Sequence, residues 1–245
     1  MALLIGNAFP AQPLTAQSLD SEDSRFLIDN FEDDSIGSLP AEWYERNGEI
    51  KLLDLSKKDQ EKFKYRVLEE RGNKYLKYEG IQAKHINYPL ADKSAIDIYE
   101  TPVLSWKARA WELPENANEE SDSRNDAVMS LYVVFDFGRV ALVKKVPKSI
   151  RYTWSTTLEK GSEHSRLFGN QKIVVVESGR DRVGEWVTFE RNIVEDYRRL
   201  YGDDPPAKPL ALLILSDGDS TDSKAEADYD DIQLKQRSQP TGNTD

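Results

Sequence analysis

The stretch Met129-Ser-Leu-Tyr-Val-Val-Phe-Asp-Phe137 constrains the fold of this chain more than any other. Positions 129, 131, 133, 135 and 137 are all apolar, and Ser130, Tyr132 and Asp136 fall between them. A period of two is what a half-buried β-strand requires, because successive side chains point to opposite faces of a sheet. Residues 103–113 repeat the pattern, with Leu104, Trp106, Ala108 and Ala110 on one face and Lys107, Arg109 and Trp111 on the other. Shorter runs with strand character lie at 25–30, 50–55, 64–69, 74–78, 150–154, 172–177, 186–192, 210–215 and 227–234. They are separated by turn residues such as Gly72-Asn73 and Gly179-Arg-Asp181. Many short strands with this punctuation predict a mostly β, antiparallel sandwich or barrel. One helix interrupts it: over 194–201, Val194, Tyr197, Leu200 and Tyr201 share a side, and Gly202 supplies the stop. The acidic, small-residue segment 114–125 reads as a surface loop.

A sandwich of 245 residues fits one domain, here spanning 26–235, with 236–245 as a frayed tail. Hydrophobic residues at 38% and charged ones at 31% are the balance of a folded, soluble chain. A net charge of −11 without a basic patch opposes binding to nucleic acid or to an anionic membrane surface. With no cysteine there is neither a disulfide nor a thiolate metal site. Residues 1–19 carry no charged side chain, and Met1-Ala-Leu-Leu-Ile-Gly-Asn-Ala8 with Leu14-Thr15-Ala16 resembles part of a signal peptide. The expectation is export to the periplasm or beyond; a cytoplasmic protein with an irregular leader is the alternative.

The chemistry-bearing feature is Asp217-Gly-Asp-Ser-Thr221, which follows an apolar run, with Asp230-Asp231 further on. The D-x-D-x-T spacing is that of a phosphatase nucleophile loop, but such a loop needs later strands of a parallel α/β sheet, and few residues follow here. An EF-hand fails because its sixth position is Asp222 instead of glycine and no helices flank it. A sandwich-type calcium site remains, with oxygens from Asp29, Glu32, Asp217, Asp219, Asp230 and Asp231, provided the first and last strands are neighbours. The alternative is a solvated acidic rim. His85, expected in a strand or at its edge, and His164, expected in a polar loop, are the only histidines; they lie in no catalytic motif, and no hydrolase signature or phosphate loop occurs.

Several segments together resemble the bacterial family called domain of unknown function 3047. They are Phe31-Glu-Asp with Leu39-Pro-Ala-Glu-Trp43, Leu104-Ser-Trp106-Lys-Ala-Arg109, the run 124–135, Tyr152-Thr-Trp154, Gly184-Glu-Trp186, the run 190–197, Asp217-Gly-Asp-Ser-Thr221 and Ala227-Asp-Tyr-Asp-Asp-Ile232. Departures are modest: Ser216 stands where a threonine is typical, and Asp230 where a small residue is common. The resemblance implies a jelly-roll β-sandwich similar to carbohydrate-binding modules and concanavalin-like domains, and no assigned activity. On such a scaffold a glycan would lie on the open face of a sheet, against aromatic rings with polar groups beside them. Alternation offers Lys107, Arg109, Trp111, Tyr132, Trp186 and Glu190 as that set, while Trp106 and Trp154 read as core. Non-catalytic carbohydrate binding is therefore the expected function. A polysaccharide lyase or hydrolase on the same scaffold, and a structural or partner-binding envelope protein, are the alternatives.

Overall fold

A computed structural model describes residues 25–47, 49–52, 61–140 and 144–237. The expected leader at 1–19 and the tail beyond 237 lie outside them. Among the described residues, fourteen strands form two sheets. The six-stranded sheet has the order β12 (Val187–Asn192), β7 (Val103–Glu112), β14 (Ala225–Lys235), β5 (Asn73–Gly80), β4 (Tyr65–Glu70), and β1 (Arg25–Asp29) also pairs with β14. The eight-stranded sheet runs β10 (Glu163–Arg166), β11 (Gln171–Ser178), β9 (Lys144–Ser155), β8 (Ala127–Val140), β13 (Ala211–Asp217), β6 (Ile86–Pro89), β2 (Tyr44–Asn47), β3 (Glu49–Leu52). Among the described strands, all pairings are antiparallel except β11 with β9. The chain crosses repeatedly from one sheet to the other, at β5–β6–β7–β8 and again at β11–β12–β13–β14, which is the wrapping of a jelly roll.

The period-two faces land as the sequence predicts. Leu104, Trp106, Ala108 and Ala110 of β7 and Met129, Leu131, Val133 and Phe135 of β8 are buried between the sheets. Trp106 stacks on Phe189 at 5.2 Å and lies 5.7 Å from Tyr152, so the aromatic payload bridges the two layers. Trp154 is also core, with its Nε1 donating to the Gly179 carbonyl at 2.9 Å. Ser216 is wholly buried and donates to the Val128 carbonyl at 2.6 Å, with the Tyr229 hydroxyl 2.7 Å away. A small hydroxyl is thus what this point between the sheets needs.

Helix α1 (Ile193–Tyr201) is capped at its start by Asn192, whose side chain accepts from Glu195 N, and ends at Gly202 in the left-handed region. The β4–β5 hairpin turns through Arg71 and Gly72, both with positive φ, as a two-residue loop of this hand requires. In β14, Tyr229 and Ile232 both point into the core although three residues apart. Asp231, with φ of 48°, is the extra residue of a bulge that makes this possible.

Two expectations need correction. His164 lies in the edge strand β10 and not in a loop, its ring 2.6 Å from Glu120 and 2.8 Å from the Ser162 hydroxyl. Segment 114–125 is only partly a surface loop. Glu119 is fully buried on the outer face of the eight-stranded sheet, accepting from Thr153 Oγ1 at 2.9 Å and Ser155 Oγ at 2.6 Å. Those hydroxyls satisfy a carboxylate that would otherwise be costly to bury, so the loop is drawn down onto the sheet.

Candidate functional site

The outer face of the six-stranded sheet carries a row built by register. Arg109 of β7 stands opposite Asp228 of β14, and Asp228 stands opposite Lys77 of β5. Cation, anion and cation therefore alternate across three neighbouring strands. Arg109 Nε donates to Asp228 Oδ2 at 2.8 Å, and its Nη1 lies 2.9 Å from Glu70 Oε2. Trp111 Nε1 donates to the same Asp228 oxygen at 2.6 Å. The guanidinium is flanked by two indoles, with Trp111 and Trp186 each 4.6 Å away, and by Tyr75 at 5.4 Å. Tyr75 meets Trp186 edge-on at 5.7 Å, and Lys77 lies 5.6 Å from the Trp111 ring. The result is a continuous aromatic–cation ladder: Lys77, Trp111, Arg109, Trp186, Tyr75.

Arg109 is 6% exposed and Asp228 is 0% exposed, so the polar centre of the ladder is closed to solvent. Burial raises the Asp228 carboxyl above its ordinary range, against the opposing pull of the Trp111 N–H, Lys77 and Arg109. Trp111 remains 40% exposed, and Trp186 is partly exposed. Beside Trp186 opens a cleft of about 460 Å³ whose lining includes Glu70, Asn73, Tyr75, Lys107, Thr188 and Asp230. Lys107 sits at its rim, 2.6 Å from Asp231, and Asn73 donates to Asp230 at 3.0 Å. An aromatic wall facing amide, ammonium and carboxylate groups can hold an amphipathic ring and bond its substituents.

Of the six ligand-binding residues expected from sequence, Lys107, Arg109, Trp111 and Trp186 come together here. Arg109 is placed as the ladder's buried centre instead of an open contact, because two indoles and two carboxylates enclose it. Glu190 lies apart and pairs with Lys235, not with Arg109. Tyr132 lies on the outer face of the other sheet, 5.4 Å from Arg151. The sequence reading missed Tyr75, Glu70 and Asp228. Asp228 was accessible to it, since Ala227 and Tyr229 are the core-facing residues on either side.

The acidic residues separate into groups. Among the described residues, Asp126, Asp217 and Asp219 are the three carboxylates whose oxygens lie within 4.8 Å of one another. Asp126 was not anticipated, because it precedes β8 and is distant in sequence. It accepts from Ser220 N, Thr221 N and Thr221 Oγ1, tying the two loops together. Gly218 is required in this turn: a Cβ there would stand 1.8 Å from the Ser223 carbonyl oxygen. Burial pushes the Asp217 carboxyl up to about 7, against Arg151 and the Ala127 N–H. Oxygen donors at this spacing fit a hard divalent cation.

The first and last strands are neighbours as expected, with Asp29 opposite Ile232. Their acids nonetheless take separate partners. Asp29 accepts from Trp43 Nε1 and Phe31 N, each at 2.7 Å. Glu32 accepts from Lys74 N, and the Lys74 ammonium caps the Glu32 and Asp34 carbonyls at 2.7 Å. Asp230 and Asp231 are held by Asn73 and Lys107. The bulge at Asp231 turns these two acids toward the outer face, away from the loop that carries Asp217.

A family model described as "Protein of unknown function (DUF3047)" matches residues 50–233. No curated protein matches the chain. Among solved structures, the chain is similar to the family 11 carbohydrate-binding module of the cellulosomal cellulase Lic26A-Cel5E of Clostridium thermocellum, at 11% identity, covering 89% of this chain and 98% of that one, with a TM-score of 0.42. It is similar also to the family 30 module of the cellulase Cel9D-Cel44B of the same organism, at 9% identity, 88% and 99% coverage and a TM-score of 0.44. A non-crystalline cellulose specific module, CBM28, is similar at 13% identity, 86% and 94% coverage and a TM-score of 0.38.

Proposed function

The chain belongs to the family described as Protein of unknown function (DUF3047), and from that premise we propose that it is an exported, non-catalytic glycan-binding protein. The observation that carries this reading is the partly exposed face of Trp186 at the mouth of the Glu70–Asn73–Lys107–Asp230 cleft, held at a fixed tilt by Arg109 and Tyr75. A ring already locked against a buried guanidinium loses little further freedom when a sugar stacks on it. The cleft holds groups of both charges, Lys107 and Arg71 against Glu70 and Asp230, which suits a glycan bearing charged as well as neutral substituents. In this reading Ca²⁺ is held by Asp126, Asp217 and Asp219 and braces the turn through Gly218. No described helix is long and apolar enough to cross a membrane.

The test is isothermal titration against charged and neutral polysaccharides, with the wild type beside Trp186→Ala and Lys107→Ala. Binding by the wild type that falls at least about tenfold in both folded variants supports the reading, since stacking contacts are worth roughly 1–3 kcal/mol. Equal binding by all three proteins rejects this cleft as the site.

A further inference from the structure

The outer face of the β4–β5 hairpin is hollow along its whole length. Lys64, Arg66 and Leu68, with Lys77 and Glu79, line a recess of about 310 Å³. Glu70, Asn73 and Tyr75 belong to the lining of the Trp186 cleft. Core-facing Tyr65, Val67, Leu76 and Tyr78 alternate with these residues, so both hollows open on one face of the same two strands. The register sets Glu70 and Asn73 together, then Leu68 opposite Tyr75, then Arg66 opposite Lys77, which orders the hollows end to end. Between Asn73 and Glu79 the strand rises about 20 Å. That is several times the width of one pyranose ring, and it suits an extended chain.

The second recess also differs in charge from the chain that carries it. The net charge is −11, yet here Lys64, Arg66 and Lys77 converge beside Glu79, whose carboxylate pairs with Lys224 at 2.9 Å. Arg66 and Lys77 stand directly opposite each other, and like charges so placed destabilise a strand pair. Lys77 meets Glu226 and Asp228 on its β14 side, while on its β4 side the neighbour is this second cation. Burial lowers the Arg66 guanidinium below its ordinary value, against the pull of Glu61, so an incoming anion would find a cation short of hydration. Within a screening length of about 8–10 Å such local groups, and not distant acids, set the field.

We infer that the glycan is a linear chain of uronic acid units that lies along the β4–β5 hairpin, with one ring at Trp186 and the carboxylate of a ring further along at Lys64 and Arg66. This rests on the reading of the Trp186 cleft given above and extends it from one ring to a chain of stated chemistry. Trp186 offers a stacking edge, Leu68 an apolar step between the hollows, and Arg66 the planar fork that a carboxylate matches with two bonds.

Hexamers of galacturonate, mannuronate and glucuronate, their dimers and their methyl esters serve as probes. They are titrated, by calorimetry and by amide chemical shifts, into the wild type, Lys64→Gln, Arg66→Gln and Trp186→Ala. At least one hexamer should shift amides over both 66–68 and 73–75 and bind at least about tenfold tighter than its dimer, because two hollows then act on one molecule. Methyl esterification, Lys64→Gln and Arg66→Gln should each weaken that hexamer at least about fivefold at an unchanged melting temperature, since each removes a charge-assisted contact. Should Arg66→Gln fail to fold, Lys64→Gln carries the same test from a partly exposed side chain. Hexamer binding that falls in Trp186→Ala but in neither of the other variants overturns the inference and leaves the cleft reading standing. So do shifts confined to the Asn73 end, or a methyl ester that binds as well as the acid. No binding of any hexamer overturns the inference too, and neutral polysaccharides then decide the cleft reading separately.

Discussion

Arg109 offers the sharpest test of how the aromatic face is held. In Arg109→Met the side-chain stem is replaced by one of similar reach, but the guanidinium is removed from between two indoles and from Asp228 and Glu70. Asp228, 0% exposed, would keep only the Trp111 N–H at 2.6 Å and Lys77 at 3.7 Å. Stranding a buried carboxylate in this way costs about 3–5 kcal/mol. The carboxyl is already raised by burial, so the variant can escape part of that cost by taking up a proton. The destabilisation should therefore be largest near pH 8 and shrink as the pH falls. Arg109→Met/Asp228→Asn removes charge from both partners and should recover most of the loss, giving a coupling energy of about 2 kcal/mol or more. Urea unfolding followed by far-ultraviolet circular dichroism at pH 8 and pH 5 measures all four corners of the cycle. A loss under about 1 kcal/mol at pH 8, or strictly additive variants, would refute the argument that the pair acts as one buried unit.

Other expectations concern the acids. Burial raises Asp29 and Asp230 to about 6 and Asp217 to about 7, above their unfolded values. A raised carboxyl destabilises the fold above its folded pKa, and the penalty is relieved as pH falls through that value, so in chelator the protein should melt higher at pH 5 than at pH 8. Each group contributes on the order of 1–2 kcal/mol after screening, and a lower melt at pH 5 contradicts the assignment. Millimolar Ca²⁺ should raise the melting temperature at pH 8, and Asp219→Ala should abolish the rise; an unchanged melt in Ca²⁺ and in chelator removes the cation from the account. Gly218→Ala should cost about 1–3 kcal/mol or more, because the new Cβ meets the Ser223 backbone and not a movable side chain. Thermal unfolding within error of wild type would show that the turn is looser than its geometry indicates.

Much of the fold was legible because two long strands announce it. In β7 and β8 the alternation assigns core and outer faces residue by residue, and the buried Trp106 and exposed Trp111 fall on the sides it predicts. Short strands carry too few residues for a period to show, which is why β2 and β10, four residues each, were not anticipated as strands. The candidate site was half visible for a different reason. Alternation says that Arg109 and Tyr132 both point away from the core, but not that they stand on opposite sheets. Nor does it say what covers an outward residue. Glu119 comes from a loop that reads as solvated and is pinned by Thr153 and Ser155, contacts set by three-dimensional neighbours alone. Asp126 joins Asp217 and Asp219 only because β13 pairs with β8, bringing Asp217 opposite Ala127.

The position of β14 has a consequence for how the protein is made. β14 lies between β7 and β5 in the six-stranded sheet and also takes β1 along its far half. Without it, β1 has no partner and the rest of that sheet is two fragments, β12 with β7 and β4 with β5, each exposing an unpaired edge. A ribosome delivers residues 225–235 after every other described strand, so most of the chain emerges before its two fragments can be joined. The pairings that join them span long sequence separations, as in Lys77 with Asp228, and such contacts form slowly. Until then the tryptophans that flank Arg109 lack Asp228, the residue that holds the ladder shut. A nascent or truncated chain would therefore be the form most in need of a chaperone, and the completed last strand the event that ends that need.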